Sequence, residues 1–349
     1  MLSVGCSDFP DWTPSRFGSP EDSISSFLNR AGEFRCNSPC YSWLVRPEIE
    51  QAVQLIQRKD PKSLEEALAL LQNTVFSFSM KVCGQRQDAE DTMQEVLVKS
   101  VSNLPKFDSP RALMVWLYKV AKSRCLMSRR KSKFAPKEAL SIEELMPDRR
   151  ELQKLSGDPD GTPETSMLRR ENAKRLREAV QKLPPEYRLI LVLHDMEELS
   201  DGDIAEITGL RQGTIRVRLH RARLFVRKQL ADQDQHRIRR EAARPLREVG
   251  LSAEPRAGRC KEMFAQLSNY LDDELDDSLC EELEKHIHTC EPCKAFLASL
   301  EAAIQQCRKA PNEAPDPRVA ARLRRELLAE YRAVMSRIAT RGATPAARN

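Results

Sequence analysis

Residues Leu183–Leu230 read LPPEYRLILVLHDMEELSDGDIAEITGLRQGTIRVRLHRARLFVRKQL and carry the clearest structural signal in the chain. Ser200 is followed three residues later by Asp203, a capping-box pattern that predicts the start of a short helix. Gly209 predicts its end, because glycine readily takes the left-handed conformation that closes a helix. A second helix is expected from about Gln212 to Leu230. Two helices around a tight glycine turn form a helix-turn-helix, whose second helix enters the major groove of DNA.

The predicted second helix carries many basic side chains. Ile215, Leu219 and Ala222 recur at helical spacing and form its inward stripe, so we expect the cations to point outward. These residues are Arg216, Arg218, His220, Arg221, Arg223, Arg227 and Lys228. Arginine reads guanine in a bidentate fashion or binds phosphates. A solvated basic face is the alternative interpretation, but the capped helix and the glycine turn before it favour DNA binding.

The motifs LPPEYR, DIAEITGL and GTIRVRLHRAR resemble region four of bacterial sigma factors of the extracytoplasmic-function (ECF) type. The resemblance implies that the second helix reads the promoter −35 element. The DNA-binding set that it implies is Gln212, Thr214, Arg216, Val217, Arg218, His220, Arg221 and Arg223. Of these, Arg216, Val217, His220 and Arg221 would face bases, and Thr214, Arg218 and Arg223 would hold phosphates. The chain departs from the family at Arg211, which replaces a capping serine, and at Val217, which replaces a small polar residue.

Residues 61–135 form a second informative block, with apolar residues at helical spacing followed by DAEDTMQEVLVKSVSNLPKF and RALMVWLYKVAKSRCLMSRRKSK. A three-helix bundle with mixed surfaces would explain the pattern. However, AEDTMQEV resembles the stretch with which sigma region two grips the clamp of core RNA polymerase, and RALMVWLYKVAKS resembles the helix that meets the −10 element. The resemblance implies polymerase binding by Asp91, Gln94 and Glu95. It also implies that Arg124, Arg129, Arg130 and Lys131 line the path of the opened strand, where a basic groove is required. The usual Asn and Asp of this helix fall on Ser123 and Met127.

Residues 258–305 contain three closely spaced metal-ligand types, His286-x3-Cys290-x2-Cys293. Zinc prefers four such ligands in a tetrahedron. Cys260, upstream across one apolar helix, is the best fourth ligand, and Cys280 and His288 are the alternatives. Together with LSNYLDDEL, the pattern resembles the zinc-binding domain of anti-sigma factors, which implies zinc as the bound cofactor. A small helical hairpin with buried thiols is the alternative.

The predicted fold class is all-α. Two small helical DNA-binding modules are joined by a flexible linker and followed by a small helical zinc-binding module. We expect a poorly ordered leader over residues 1–60, although residues 47–57 could form a short amphipathic helix. The further predicted segments are the region-two-like domain 61–135, a linker 136–165, the helix-turn-helix domain 166–232, a linker 233–257, the zinc module 258–305 and a basic helical tail 306–349.

Composition restricts the function classes. The 349 residues carry a net charge of only +5, so the distribution of charge matters more than its sum. No apolar run approaches the roughly 18–20 residues of a membrane span, and no signal-peptide pattern begins the chain, so we expect a cytoplasmic protein with no membrane contact. The ten cysteines then indicate metal or redox chemistry and not a disulfide framework. We find no pattern for a catalytic nucleophile, for paired carboxylates or for a phosphate-binding loop, so the sequence does not indicate an enzyme.

The expected function is that of a sigma factor, which brings core RNA polymerase to promoter DNA through the −35 and −10 elements. The zinc module is acidic and the sigma-like blocks are basic. We therefore hypothesise an intramolecular contact in which the zinc module folds back on one or both DNA-binding domains and restrains them. Two alternatives stay open. One is a helix-turn-helix regulator that binds DNA without polymerase, and the other is a metal or thiol sensor that acts by protein contact.

Overall fold

The computed structural model describes residues 46–58, 60–101, 103–104, 107, 109–129, 140–146, 166–241, 257–272 and 275–342. Every regular element in these ranges is a helix, as the all-α prediction requires. None of the described helices combines the length and the apolar character that a membrane span needs. The predicted leader before residue 46, much of both predicted linkers and the end of the tail lie outside the described residues.

The first bundle consists of α1 (Pro47–Gln57), α2 (Pro61–Cys83), α3 (Arg86–Val101) and α4 (Pro110–Arg129). Helix α2 begins where the Asp60 carboxylate accepts hydrogen bonds from two backbone amides. It ends at Gly84, whose φ of 80° is the left-handed conformation of a helix C-terminus. These local signals delimit the longest helix of the bundle, around which the other three pack.

The first bundle begins upstream of the predicted boundary at residue 61. Helix α1 lies within the range predicted as leader, yet Ile49 and Ala52 are fully buried. Its apolar face packs against α2 and α4 and so joins the hydrophobic core of the bundle. The short amphipathic helix considered for residues 47–57 is therefore confirmed, but it belongs to the first bundle and not to the leader.

The second bundle contains α6 (Ser166–Lys182), α7 (Pro185–Leu191), a π-helical segment (Val192–Met196), α8 (Asp201–Thr208) and α9 (Gln212–Glu241). The helix-turn-helix predictions are confirmed. Ser200 Oγ accepts a hydrogen bond from the Asp203 amide at 3.1 Å, and Gly209 has a φ of 76°. The second helix continues past its expected end near residue 230 and into the predicted linker.

The third bundle contains α10 (Ala257–Leu271), α11 (Asp277–Thr289) and α12 (Glu291–Arg308). Asp276 caps α11 by accepting a hydrogen bond from a backbone amide. The core of this small bundle includes the Phe264 and Phe296 rings, whose centroids lie 4.6 Å apart. A last helix, α13 (Pro317–Gly342), leaves the third bundle and packs on α2 and α3 of the first.

The three bundles share hydrophobic cores. One cluster of buried residues runs through the first and second bundles and also includes Leu323 and Leu327 of α13. The other contains the apolar residues of the third bundle together with Leu224 of α9. It also includes Leu145, which lies on α5 (Ile142–Leu145), a single helical turn within the predicted linker 136–165.

A disulfide joins Cys83, at the end of α2, to Cys125 on α4. Both residues are buried, and their Cα atoms are 5.5 Å apart. The composition pointed to metal or redox chemistry, and the sequence contained no signal for this bond. The two cysteines are 42 residues apart in the chain, so only the packing of α4 against α2 brings them together.

Candidate nucleic-acid and metal sites

The first two turns of α9 expose the side chains that the sequence predicts on DNA. Gln212, Thr214, Arg216 and Val217 are exposed, whereas the inward stripe is buried as predicted. The Arg216 guanidinium forms an ion pair with Asp201 on α8, in which Arg216 Nε lies 3.0 Å from Asp201 Oδ2. Helix α9 thus presents a mixed polar and apolar surface at the end of the helix that enters the groove in a helix-turn-helix.

The next predicted DNA contacts are less accessible. Arg218 is half-buried and pairs with Glu186 at 2.8 Å, and Arg221 is also half-buried. His220 is only 7 % exposed, and neither of its ring nitrogens has a hydrogen-bond partner among the described residues. Burial, together with the positive charges of the nearby Arg223 and Arg221, lowers the pKa of His220 to about 4.

Arg223 lies in a buried ion-pair network between the second and third bundles. Its side chain is fully buried and donates two hydrogen bonds to Asp195, from Nε at 2.9 Å and from Nη2 at 2.6 Å. From the third bundle, Asp272 accepts from Nη1 at 2.6 Å and Ser268 Oγ accepts at 3.1 Å. Burial opposes ionisation of Asp195, but Arg223 outweighs it and lowers the pKa of this carboxyl well below its usual value.

The expectation that all cations of this helix point outward is wrong for three residues. His220, Arg223 and Arg227 are buried. The guanidinium of Arg227 lies 4.2 Å from the centre of the Phe296 ring on α12. The reason is that the middle of α9 has two buried faces, one against the second bundle and one against the third.

The predicted polymerase-binding residues lie on α3. Asp91 and Gln94 are exposed. Glu95 is partly buried and pairs with Lys99 at 2.7 Å and with Arg124 at 2.9 Å. A carboxylate predicted to bind polymerase is therefore in contact with an arginine predicted to bind DNA, because α3 and α4 are adjacent.

Arg124 is the only predicted strand-binding residue whose side chain is described, and it is exposed. The side chain of Arg129, together with Arg130 and Lys131, lies outside the described part of the chain. Two other cations of α4 contact the helix-turn-helix directly. Arg111 pairs with Asp203 at 2.7 Å, and Lys122 donates to the carbonyl of Ile207 at 2.7 Å.

Glu197 connects the first and second bundles, and sequence reasoning missed it. Its carboxylate is fully buried and contacts three side chains of the first bundle or its N-terminal edge. The distances are 3.1 Å from Arg46 Nε, 2.9 Å from Lys81 Nζ and 2.6 Å from the Tyr118 hydroxyl, which donates a hydrogen bond. Burial raises the pKa of Tyr118 well above its usual value, and the Glu197 carboxylate adds to the rise. The only signal in the sequence was that Glu197 and Glu198 follow an apolar run. Two adjacent glutamates are also typical of an exposed turn, so the pattern did not predict a buried ion pair.

Helix α13 covers part of the first bundle. The buried Gln72 side chain donates to the carbonyl of Ala320 at 3.0 Å and accepts from Arg324 at 2.9 Å. Leu323 and Leu327 pack into the shared core beside these bonds. The predicted basic helical tail therefore has an apolar face that is buried against the first bundle.

His286, Cys290 and Cys293 converge in the third bundle, with their ligand atoms all within 4.8 Å of one another. His286 Nε2 lies 3.2 Å from Cys293 Sγ, and the two sulfur atoms are 3.4 Å apart. Tetrahedral zinc, with bonds of about 2.0–2.3 Å, needs ligand atoms about 3.5 Å apart. The donor types and spacing fit a zinc ion, as the sequence predicts.

The structure leaves the fourth ligand to be identified. Cys260 lies on α10, but its side chain is outside the described residues. Neither alternative belongs to the group of three, since Cys280 is disulfide-bonded and His288 is exposed. Cys260 therefore stays the predicted fourth ligand.

Comparisons with known proteins assign a family model to a part of each bundle. Residues 68–134 match the family model of sigma-70 region 2, residues 173–226 match that of sigma-70 region 4, and residues 260–294 match a zinc-finger family model. The chain is 27 % identical over 184 residues to the ECF RNA polymerase sigma factor SigW of Bacillus subtilis, covering 53 % of this chain and 97 % of SigW. It is 28 % identical over 191 residues to the RNA polymerase sigma-H factor of Pseudomonas aeruginosa, covering 54 % and 96 %.

A solved complex of the sigma factor RpoE with the anti-sigma factor NepR from Bartonella quintana is 21 % identical, with a TM-score of 0.34, covering 48 % of this chain and 97 % of that one. The family matches define a sigma-70-type protein that contains regions 2 and 4. Over these regions the chain is similar to sigma factors, of which SigW is one of the ECF type. The relatives are matched over nearly their whole length but cover only about half of this chain, in which the match to the zinc-finger family model lies beyond region 4.

Proposed function

We propose that this ECF-type sigma factor brings core RNA polymerase to its promoters and that its third bundle and α13 hold it in a closed, inactive state. Region 2, in the first bundle, would contact the polymerase clamp through Asp91, Gln94 and Glu95 and the −10 element through the basic end of α4. Region 4, in the second bundle, would read the −35 element through α9. The third bundle and α13 would act as a restraint within the same chain.

The observation that carries the proposal is the position of Arg223. A side chain predicted to hold a DNA phosphate is fully buried and bonded to Asp272 of the third bundle. A phosphate cannot replace this carboxylate while the third bundle stays in place, because the guanidinium is closed off from solvent. DNA and the third bundle would therefore compete for the part of α9 around Arg223.

The contact between the first and second bundles supports the same conclusion. The −35 and −10 elements are about 25 base pairs apart, which is about 85 Å of B-DNA. The two bundles pack directly on each other through Glu197 and through the contacts of α4 with α8. Modules in such close contact cannot reach both elements at once, so promoter binding requires them to separate.

Zinc would support this restraint by stabilising the fold of the third bundle. When bound, it would cross-link the end of α11 to the start of α12 through His286, Cys290 and Cys293, with Cys260 of α10 as the fourth ligand. A bundle of this size has little apolar core, so the metal would contribute much of its folding free energy. Thiolate ligands can be oxidised, which would release zinc and weaken the contacts of the third bundle with α9.

The deciding experiment is run-off transcription from a promoter library with core RNA polymerase, with and without the full chain. Promoter-specific transcripts that need both components would establish the sigma activity. A second protein that ends at residue 256 lacks the third bundle and α13, and we expect it to give more transcript per bound polymerase. DNA binding without any polymerase-dependent transcript from either protein would contradict the proposal and favour a helix-turn-helix regulator.

A further inference from the structure

Val217 is an exposed apolar side chain on the helix that enters DNA. It lies on α9 between Ile215 and Leu219, which are buried, and so points away from the core of the second bundle. Its relative exposure is 52 %, the highest among the three large exposed hydrophobic residues in the described part of the chain. An apolar group in this position gains free energy only when a partner removes it from water.

The neighbours of Val217 leave it at the centre of the exposed surface. Arg216 is drawn towards Asp201 on α8, and Arg218 is drawn towards Glu186 on α7. Because each residue is turned about 100° from the next along a helix, the two guanidinium groups lie to either side of Val217. Between them, the exposed side chain is the branched aliphatic one of Val217.

The major groove offers one apolar group at the edges of the bases, the C5-methyl of thymine. The other groups there are hydrogen-bond donors and acceptors. A valine in contact with them displaces their bound water and offers no hydrogen bond in return, which is unfavourable. Valine therefore discriminates by contact with a methyl group and by exclusion of polar edges.

We propose that Val217 contacts the C5-methyl of a thymine in the −35 element and specifies a T·A pair at that position. The assignment of this thymine to the −35 element rests on the proposed function. The contact between Val217 and a thymine methyl group does not. It makes Val217 a specificity-determining residue, placed between two arginines that provide affinity.

The test measures sensitivity to a single methyl group. Duplexes that bind the full chain are selected from a random library, in the presence and in the absence of core RNA polymerase. Each thymine of the selected −35 sequence is then replaced, one at a time, by deoxyuridine, which lacks only the C5-methyl. Binding of each duplex is compared for the wild type, Val217→Ser and, as a matched control, Val98→Ser. Val98 is the other exposed valine among the described residues, 41 % exposed, and lies on α3 of the first bundle.

We expect deoxyuridine at one position to weaken wild-type binding about fourfold, the effect of one buried methyl-sized group. Val217→Ser should bind the thymine and uracil duplexes equally, whereas Val98→Ser should keep the wild-type ratio. The ratio of the two duplexes is compared, so a general loss of affinity does not affect the result.

Three results would overturn the inference: no sensitivity of the wild type to any deoxyuridine, the same sensitivity in Val217→Ser, or a selection that enriches no base opposite α9. Methyl sensitivity without polymerase-dependent transcription would instead retain the contact and refute the sigma function. The two proposals can therefore fail separately.

Discussion

Asp272 of the third bundle forms an ion pair with Arg223. A conservative substitution can test the contribution of its charge. Asp272→Asn keeps the shape but removes the negative charge that Arg223 pairs with, and disrupting a buried pair costs about 3–5 kcal/mol. Asp195 still compensates Arg223 within the second bundle. We therefore expect the third bundle to release α9 more readily and polymerase-dependent transcription to rise several-fold in run-off assays.

Asp277→Asn is the matched control for that prediction. Asp277 is exposed at the start of α11, in the same bundle as Asp272, and the substitution makes the same change in net charge. Equal transcription by both variants would show that the pair with Arg223 does not restrain the protein.

His220 predicts a dependence of stability on pH. Burial lowers the pKa of His220 to about 4 in the folded protein, with Arg223 and Arg221 contributing, whereas the unfolded value is about 6.5. Between these values the unfolded chain binds the proton and the folded protein does not, so stability is present above the unfolded pKa and is lost as the pH falls. We expect His220 to cost roughly 2 kcal/mol of stability between pH 7 and pH 5.

Denaturant unfolding at the two pH values would measure this contribution. His220→Leu removes the titrating group, and its loss of stability on acidification should be smaller than that of the wild type by the stated amount. His288→Leu, which removes an exposed histidine, provides the control. An equal loss in all three proteins would mean that His220 is not buried in its neutral form.

The junction of α11 and α12 predicts a specific metal stoichiometry. His286 lies with Cys290 and Cys293 in the candidate zinc group, whereas His288, two residues later, is exposed. Because the helix turns 100° per residue, the two imidazoles cannot face the same site. We expect about one zinc per chain in the wild type and in His288→Ala, and little zinc in His286→Ala.

Elemental analysis of the purified proteins would measure the zinc content, and far-ultraviolet circular dichroism would report the helices that depend on it. Removal of zinc from the wild type with a chelator should lower the helical signal, because the third bundle has a small core. Zinc retained by His286→Ala and lost by His288→Ala would assign the ligand to the other histidine.

Glu197 holds the first and second bundles together across the molecule. Glu197→Gln leaves Arg46 and Lys81 close to each other without the buried carboxylate that compensates both. Disrupting buried ion pairs of this kind costs about 3–5 kcal/mol, so we expect the bundles to separate more often. Small-angle X-ray scattering should record a larger radius of gyration than for the wild type.

Glu198→Gln provides the control for that measurement, because Glu198 is the next residue, carries the same charge and is exposed. It should keep the wild-type radius of gyration. An unchanged radius in Glu197→Gln at low and high salt would mean that the apolar contacts between the bundles suffice to hold them together.

The helical class, the helix-turn-helix and the zinc group could be predicted from the sequence, because their signals are local. The cap at Ser200, the left-handed Gly209 and the inward stripe of α9 each depend on residues within about two turns of one another. The His286, Cys290 and Cys293 ligands likewise lie within eight positions along the chain. Local spacing therefore identified what each segment forms and which chemistry its side chains carry.

The sequence pattern did not reveal which of those side chains remain accessible. Arg223 is buried because Asp272, 49 residues further along the chain, is brought to it by the fold. Glu197 pairs with Lys81 and Tyr118 across 116 and 79 residues. The burial and pairing of a charge depend on groups that arrive from distant parts of the chain, and helical periodicity contains no information about them. The contacts between the bundles are therefore a property of the folded protein.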